Sequence, residues 1–292
     1  MIWTEAFRPQ NLDQVIGQEK AVQFFKNLKN RDISQWPHFI FHGPPGVGKT
    51  TMGWAIANHY DLELIEINAS HYRKVEDMEN MIMNIVKQIP SKGERKIILM
   101  DEADGLGNHS QWLLRRYMEE YSNVTLFIFD CNYSNKIIPA IYDRCIEFKF
   151  DGLSPDELKK IAINICNSEK RDVPSDEILN RFAKASDGSA RSFTNYLFQY
   201  IVGGIIPDYS FNIGEYIRSI RLNDIDSARK LVMKVSYNEL LKSVLNVLLL
   251  YGDKYEEVIR KLGDYLILSQ YPDESLGKIV VTLQLKKYLN GG

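Results

Sequence analysis

Cysteine is scarce in this chain. Cys131, Cys145 and Cys166 are the only three in 292 residues, and none forms a Cys-x-x-Cys pair. That argues against a zinc site and a disulfide framework and suits a reducing compartment. An excess of one charge is also missing: 36 lysines and arginines against 38 aspartates and glutamates leave a net charge of -2. A wholly basic nucleic-acid binder is thereby excluded, whereas a local basic surface inside an assembly is not. No apolar run reaches membrane-spanning length, and the opening MIWTEAFRPQ has no signal-peptide core, so no membrane partner is expected. No fixed-period repeat or low-complexity tract is visible. What is present is ordinary globular composition, 45% hydrophobic and 25% charged. That suffices for a core in one large domain or two to three smaller ones.

The first half alternates strand and helix patterns. PHFIFHG, LELIEINAS, KIILMDEAD, VTLFIFDCN and IEFKF read as strands. TTMGWAIANHY, VEDMENMIMNIVKQI and SQWLLRRYMEEY lie between them with helical spacing. Strands separated by helices predict βαβ units and an α/β fold with a parallel sheet, whose strand C-termini share one edge. Near Phe150 the pattern becomes helical. Ser154 is a predicted N-cap, with Pro155 at the first helical position and Glu157 three residues beyond the cap. PSDEILNRFAKAS and ARSFTNYLFQYIV complete a small helical domain bounded by GGIIPDYS. DIDSARKLVMKV, YNELLKSVLNVLLLYG, KYEEVIRKLGDYLILSQY and ESLGKIVVTLQLKKYL then read as amphipathic helices. The expected segments are 1–150, 151–205 and 206–292.

FHGPPGVGKTT puts poor helix formers directly before a helix. Gly43 to Thr50 fits G-x-x-x-x-G-K-[ST], a loop that cradles phosphate. Phosphate must approach successive backbone N–H groups at a helix start, and side chains would block it. Gly43, Pro45, Gly46, Val47, Gly48, Lys49, Thr50 and Thr51 are therefore the candidate nucleotide-binding residues. Lys49 would reach the β- and γ-phosphates, and the Thr50 hydroxyl would bind Mg²⁺. The expected cofactors are ATP and Mg²⁺. A bare glycine-rich turn is the plainer alternative.

KIILMDEAD supplies acids at the end of a buried strand. Asp101 would position Mg²⁺ and Glu102 would act as general base toward water. Without the phosphate loop these would read as solvated acids leaving a strand.

These residues, together with WTEAFRPQNLDQVIGQE and LRRYMEEYSNVTLFIFDCNYSNKIIPAIYDRC, resemble the AAA+ ATPases, specifically small subunits of replication factor C clamp loaders. The similarity runs over about residues 1–195. The resemblance implies an AAA+ P-loop domain, a helical lid and a C-terminal all-helical collar. It implies that Asn132 is the sensor orienting the hydrolytic water. Arg144 matches the arginine finger that enters a neighbour's ATP site, and Arg191 matches the lid sensor. Val15 and Ile16 match the adenine pocket; Arg8 is either a polar contact there or a structural residue. The sequence departs from the family at Asp143, Asp130 and Ala6, and in HYRKVEDM after INAS. Asp143 either restrains Arg144 or faces water.

The resemblance further implies a homo-oligomer with a large subunit, a sliding clamp, and primer–template DNA held through its phosphates. Arg73, Lys74, Arg115 and Arg116 are the DNA candidates; each pair is alternatively a solvated helix face, and the latter pair could face a neighbour's ATP site. Met81, Met83, Ile85 and Ile89 serve either core packing or a clamp contact. The expected location is cytoplasmic or nucleoid-associated, or nuclear in a eukaryote. Two rival readings remain: another AAA+ DNA motor of the branch-migration type, and a subunit that binds nucleotide without turnover.

Overall fold

All five expected strands form, and every neighbouring pair is parallel. β1 is His38–His42, β2 Leu64–Asn68, β3 Lys96–Asp101, β4 Thr125–Cys131 and β5 Cys145–Lys149, in spatial order β2-β3-β4-β1-β5. The structure, a computed structural model, describes residues 3–72, 75–206 and 213–221 and ten isolated positions between 228 and 285. The helices of the first segment are α1 (Trp3–Ala6), α2 (Glu19–Asn27), α3 (Lys49–His59), α4 (Val75–Val86), α5 (Asn108–Glu120), α6 (Pro139–Tyr142), α7 (Pro155–Glu169), α8 (Asp176–Ser186) and α9 (Ala190–Gly203).

The central strands are near-continuous apolar runs because helices cover both faces of the sheet. Side chains alternate between those faces. Phe39, Phe41, Ile97, Leu99, Leu126 and Ile128 meet Met52, Ala55 and Ile56 of α3 and Phe25 of α2. Ile40, Ile98, Met100, Phe127 and Phe129 meet Met78 and Ile82 of α4 and Leu114 and Met118 of α5. Truncating a fully buried ring such as Phe127 to alanine removes about 3–5 kcal/mol of stability.

Two buried cations close the sheet's amino edge. Arg95 donates to the carbonyls of Ile33, Trp36 and Thr125 at 2.6, 2.9 and 2.7 Å. Lys96 donates to those of Ile85 and Gln88, at the C-terminal end of α4, at 2.8 and 2.6 Å. Both cations thus bind carbonyls at helix, loop and strand ends, and two of these, Ile33 and Ile85, also accept the N–H groups of Trp36 and Gln88.

Ser154 and Glu157 form the expected capping box, each bonding the other's backbone N–H, at 3.3 and 2.6 Å. Leu158, Phe182 and Phe193, from α7 to α9, join the same apolar cluster as Trp3, Phe25 and Phe39. The rings of Trp3 and Phe198 meet edge to face at 5.1 Å, seating α1 on α9.

Met1–Pro207 forms one compact unit and Asp208–Gly292 another. In the second, α10 (Ile213–Arg221) buries Tyr216 and Ile220. The Tyr216 and Thr282 hydroxyls share a hydrogen bond of 2.7 Å. The four helices expected beyond Asn223 lie outside the described residues, apart from isolated positions. Of these, Ala228, Val232, Leu240, Leu241, Val244, Val281 and Leu285 are buried. Helices α1, α2, α6 and α10 go beyond the sequence reading. Two of them, α1 and α6, have four residues each, too short to show a helical period.

Candidate nucleotide-binding site

The loop from Gly43 to Gly48 joins the end of β1 to the start of α3. Gly46 and Gly48 have φ of 79° and 98°, where L side chains are strained. A Cβ on Gly46 would stand 2.3 Å from Ser189 Oγ, whereas one on Gly48 would meet nothing within 4 Å. Gly46 is thus constrained by a neighbour, and Gly48 borders open space. Gly48 also caps α3 without a side-chain hydrogen bond, so the first N–H groups of the helix face a possible anion.

Lys49 is buried and folded back onto its own loop. Its Nζ donates to the Gly43 and Pro44 carbonyls, both at 3.0 Å, and to Asn132 Oδ1 at 3.1 Å. Asp130 Oδ1 lies 3.5 Å from the same nitrogen. The Thr50 hydroxyl donates to Asp130 Oδ2 at 2.8 Å. Burial pushes the Asp130 carboxyl up to about 6, against the pull of Lys49. Burial also raises Asp101, partly offset by the 2.9 Å hydrogen bond from the Glu102 N–H. Glu102 is exposed and left-handed, with φ of 54°, a conformation that costs a non-glycine residue about 1–3 kcal/mol.

A cavity of about 740 Å³ brings most candidates together. Arg8, Val15, Ile16, Pro45, Gly46, Val47, Gly48, Lys49, Thr50 and Thr51 line it, with Asp101, Glu102, Asn132 and Arg191. Gly43 lies beneath, its N–H donating to the Cys131 carbonyl at 3.3 Å. The Arg191 N–H donates to the Gly46 carbonyl at 3.3 Å, so the start of α9 touches the loop. Arg8 is paired with Glu5 at 2.7 Å. The lining holds five carboxylates, Glu5, Glu66, Asp101, Glu102 and Asp130, and three cations, Arg8, Lys49 and Arg191. In the sequence Asp130 is visible only as a departure from the family pattern. Its contact with Lys49 and Thr50 depends on β4 lying beside β1.

Other candidates lie elsewhere. Arg144 is absent from the lining: its Nε donates to Glu119 Oε1 at 2.9 Å, Nη2 bonds the same oxygen, and Nη1 donates to the Ala140 carbonyl at 2.7 Å. Among the described residues the carboxylate on Arg144 is therefore that of Glu119, and the neighbouring Asp143 is exposed. Arg115 shares Glu119 Oε1 at 3.0 Å and stands 5.9 Å from the Trp112 ring; Arg116 pairs with Glu120 at 3.4 Å. Arg73 and Lys74 lie outside the described residues. Met81, Met83 and Ile85 pack half-buried on the core, while Ile89 is 90% exposed.

The glycine cradle, the lysine and the strand-end carboxylates have the arrangement of a P-loop at the carboxyl edge of a parallel sheet. The model of the ATPase family associated with various cellular activities (AAA) matches residues 39–152. The replication factor C small subunit of Picrophilus torridus is 36% identical over 89% of this chain and 82% of its own length. That of Archaeoglobus fulgidus is 32% identical over the same shares. The chain belongs to the replication factor C small-subunit family of AAA ATPases. The Holliday junction branch migration motor RuvB of Thermotoga maritima shares the fold, with a TM-score of 0.60 over 82% of this chain and 85% of that one, at 20% identity. Among the described residues no helix is long and apolar enough to cross a membrane.

Proposed function

We propose that the chain is an ATP-hydrolysing subunit of a sliding-clamp loader. The observation that carries this reading is the meeting of Lys49, Thr50, Asp101 and Asn132 at the carboxyl ends of β1, β3 and β4, beside an uncapped α3. Membership of the replication factor C small-subunit family supports the clamp-loading role. Residues 1–150 would form the ATP-binding domain, 151–205 the lid and 206–292 the collar joining subunits.

The donor set fits ATP with Mg²⁺. The cavity volume lies in the range of small-ligand sites. Among the described residues no three His, Cys, Asp or Glu side chains could hold a metal by themselves. A cation here would be shared between a hydroxyl, carboxylates, waters and phosphate oxygens. Thr50 and Asp101 would hold it. Bound Mg²⁺ would neutralise charge on the phosphates.

The chain's own groups do the rest. Lys49 exchanges its carbonyl partners for β- and γ-phosphate oxygens. Asn132, released from Lys49, orients the attacking water. Glu102 accepts a proton from that water as its oxygen bonds the γ-phosphorus and the bond to the β-phosphate bridging oxygen breaks, leaving ADP. Arg191 would read the γ-phosphate from the lid. Arg144 would leave Glu119 and stabilise the transition state in a neighbour's site, where a permanently charged planar fork suits phosphate. ATP held between subunits would organise a spiral that opens the clamp, and primer–template DNA would trigger hydrolysis and clamp closure. Arg115, Arg116, Arg73 and Lys74 are proposed for DNA phosphates, and the surface around Ile89 for the clamp. In a reducing compartment the buried Cys131 and Cys166 stay thiols.

An ATPase assay of the assembled complex, with and without primed DNA and clamp, tests this. Turnover stimulated only when both are present supports it. Turnover stimulated by DNA regardless of the clamp supports a DNA motor, and tight ATP binding with no turnover supports a silent subunit.

A further inference from the structure

Asp130 is a buried carboxylate that the hydrolytic steps leave unused. It is 4% exposed and sits between the two residues that meet the phosphates and the metal. One oxygen accepts the Thr50 hydroxyl hydrogen at 2.8 Å, and the other lies 3.5 Å from Lys49 Nζ. A hydroxyl whose hydrogen is committed to a carboxylate has only its lone pairs left for a cation. A lysine paired with a carboxylate has part of its field cancelled before any phosphate arrives.

We propose that Asp130 is a positioning residue that couples nucleotide binding to the divalent cation: it aims the Thr50 oxygen at the metal and makes the cavity repel a triphosphate that comes without one. The inference rests on the reading of this cavity as the ATP·Mg²⁺ site. The lining carries five carboxylates against three cations. One of those cations, Arg8, is already paired with Glu5. A free triphosphate, itself highly anionic, therefore enters a site of net negative charge. A divalent ion bound with it offsets that net charge. The strand register makes this possible: Asp130 on β4 lies opposite Phe41 on β1, one residue from the end of the strand that feeds the loop. A serine or alanine there would leave Lys49 and Thr50 without this partner.

The test is equilibrium binding, independent of turnover. Full-length wild-type protein and Asp130→Asn are titrated with a fluorescent ATP analogue in Mg²⁺ and in excess EDTA. Asparagine keeps an acceptor for Thr50 and removes the charge. The wild type is expected to lose affinity in EDTA by about a hundredfold or more, and Asp130→Asn to narrow that loss by about tenfold, mainly through tighter metal-free binding. Thermal melting reports folding, and Asp130→Ser repeats the comparison with a smaller neutral side chain. An unchanged ratio in a folded variant overturns the role of Asp130 alone. A wild-type ratio near one overturns it without recourse to a variant. A wild type that binds no nucleotide even with Mg²⁺ overturns the site assignment as well, which separates the two failures.

Discussion

Glu119 on α5 grips Arg144, 25 residues further along the chain, through two guanidinium nitrogens, while the Ala140 carbonyl takes a third. The residue proposed to act on a neighbour's ATP is therefore satisfied within its own chain. The contact pulls the Glu119 carboxyl below its usual range, chiefly through the Arg144 hydrogen bond. Docking of a neighbour must offer Arg144 a better partner than this carboxylate, and a γ-phosphate does so by charge and geometry.

From this follows the first prediction. Arg144→Ala lowers DNA- and clamp-stimulated hydrolysis by roughly a thousandfold in the assembled complex, the scale of a lost arginine finger, and leaves ATP affinity nearly unchanged. Arg144→Lys restores little, because an ammonium lacks the fork. Turnover assays beside ATP titrations check both variants. Stimulated turnover at the wild-type level in Arg144→Ala would remove the finger role.

The glycine loop allows stability to be separated from binding. A Cβ at Gly48 meets no atom within 4 Å, so Gly48→Ala carries only the strain of φ 98°, about 1–2 kcal/mol. The variant should fold with a modestly lower Tm and yet lose most ATP affinity, because its methyl enters the space read as the phosphate's. Melting curves and ATP titrations on the same sample check this. Full affinity would show that the phosphate sits elsewhere.

His38 gives a pH prediction. Its Nε2–H donates to the Met118 carbonyl at 3.3 Å, and its Nδ1 accepts the Phe127 N–H at 3.1 Å, so the ring is held neutral. Burial first, and then the charge of Arg95, push its pKa down to about 4 from the ordinary 6.5. The unfolded chain takes up a proton near 6.5 that the folded chain refuses until about 4. Stability from this group is therefore fully present above 6.5 and falls as pH drops through the window. The total is on the order of 3 kcal/mol. Urea midpoints at about pH 7 and about pH 5 should differ in the wild type, and His38→Gln should flatten that difference. An equal slope in both would assign acid sensitivity to other groups.

Much of this was legible in the chain. β1, β3 and β4 show as apolar runs because both faces are covered, β2 shows by alternation, and the capping box shows because Ser154 and Glu157 lie three residues apart. The phosphate loop is legible for a similar reason: its function is local in sequence. The grip of Glu119 on Arg144 and of Asp130 on Thr50 was not. Those pairs join residues 25 and 80 positions apart, and only the packing of α5 beside α6 and of β4 beside β1 brings them within bonding distance. Nor does sequence show that Lys49 turns onto Gly43, Pro44 and Asn132.

Calorimetric titration of the full chain with ATP in Mg²⁺, beside Lys49→Ala, tests the account at its root. Saturable binding at one site per chain in the wild type, lost by at least roughly a hundredfold in the folded variant, is the predicted result. A wild-type chain that takes up no ATP, or a Lys49→Ala chain that binds it equally well, would contradict it.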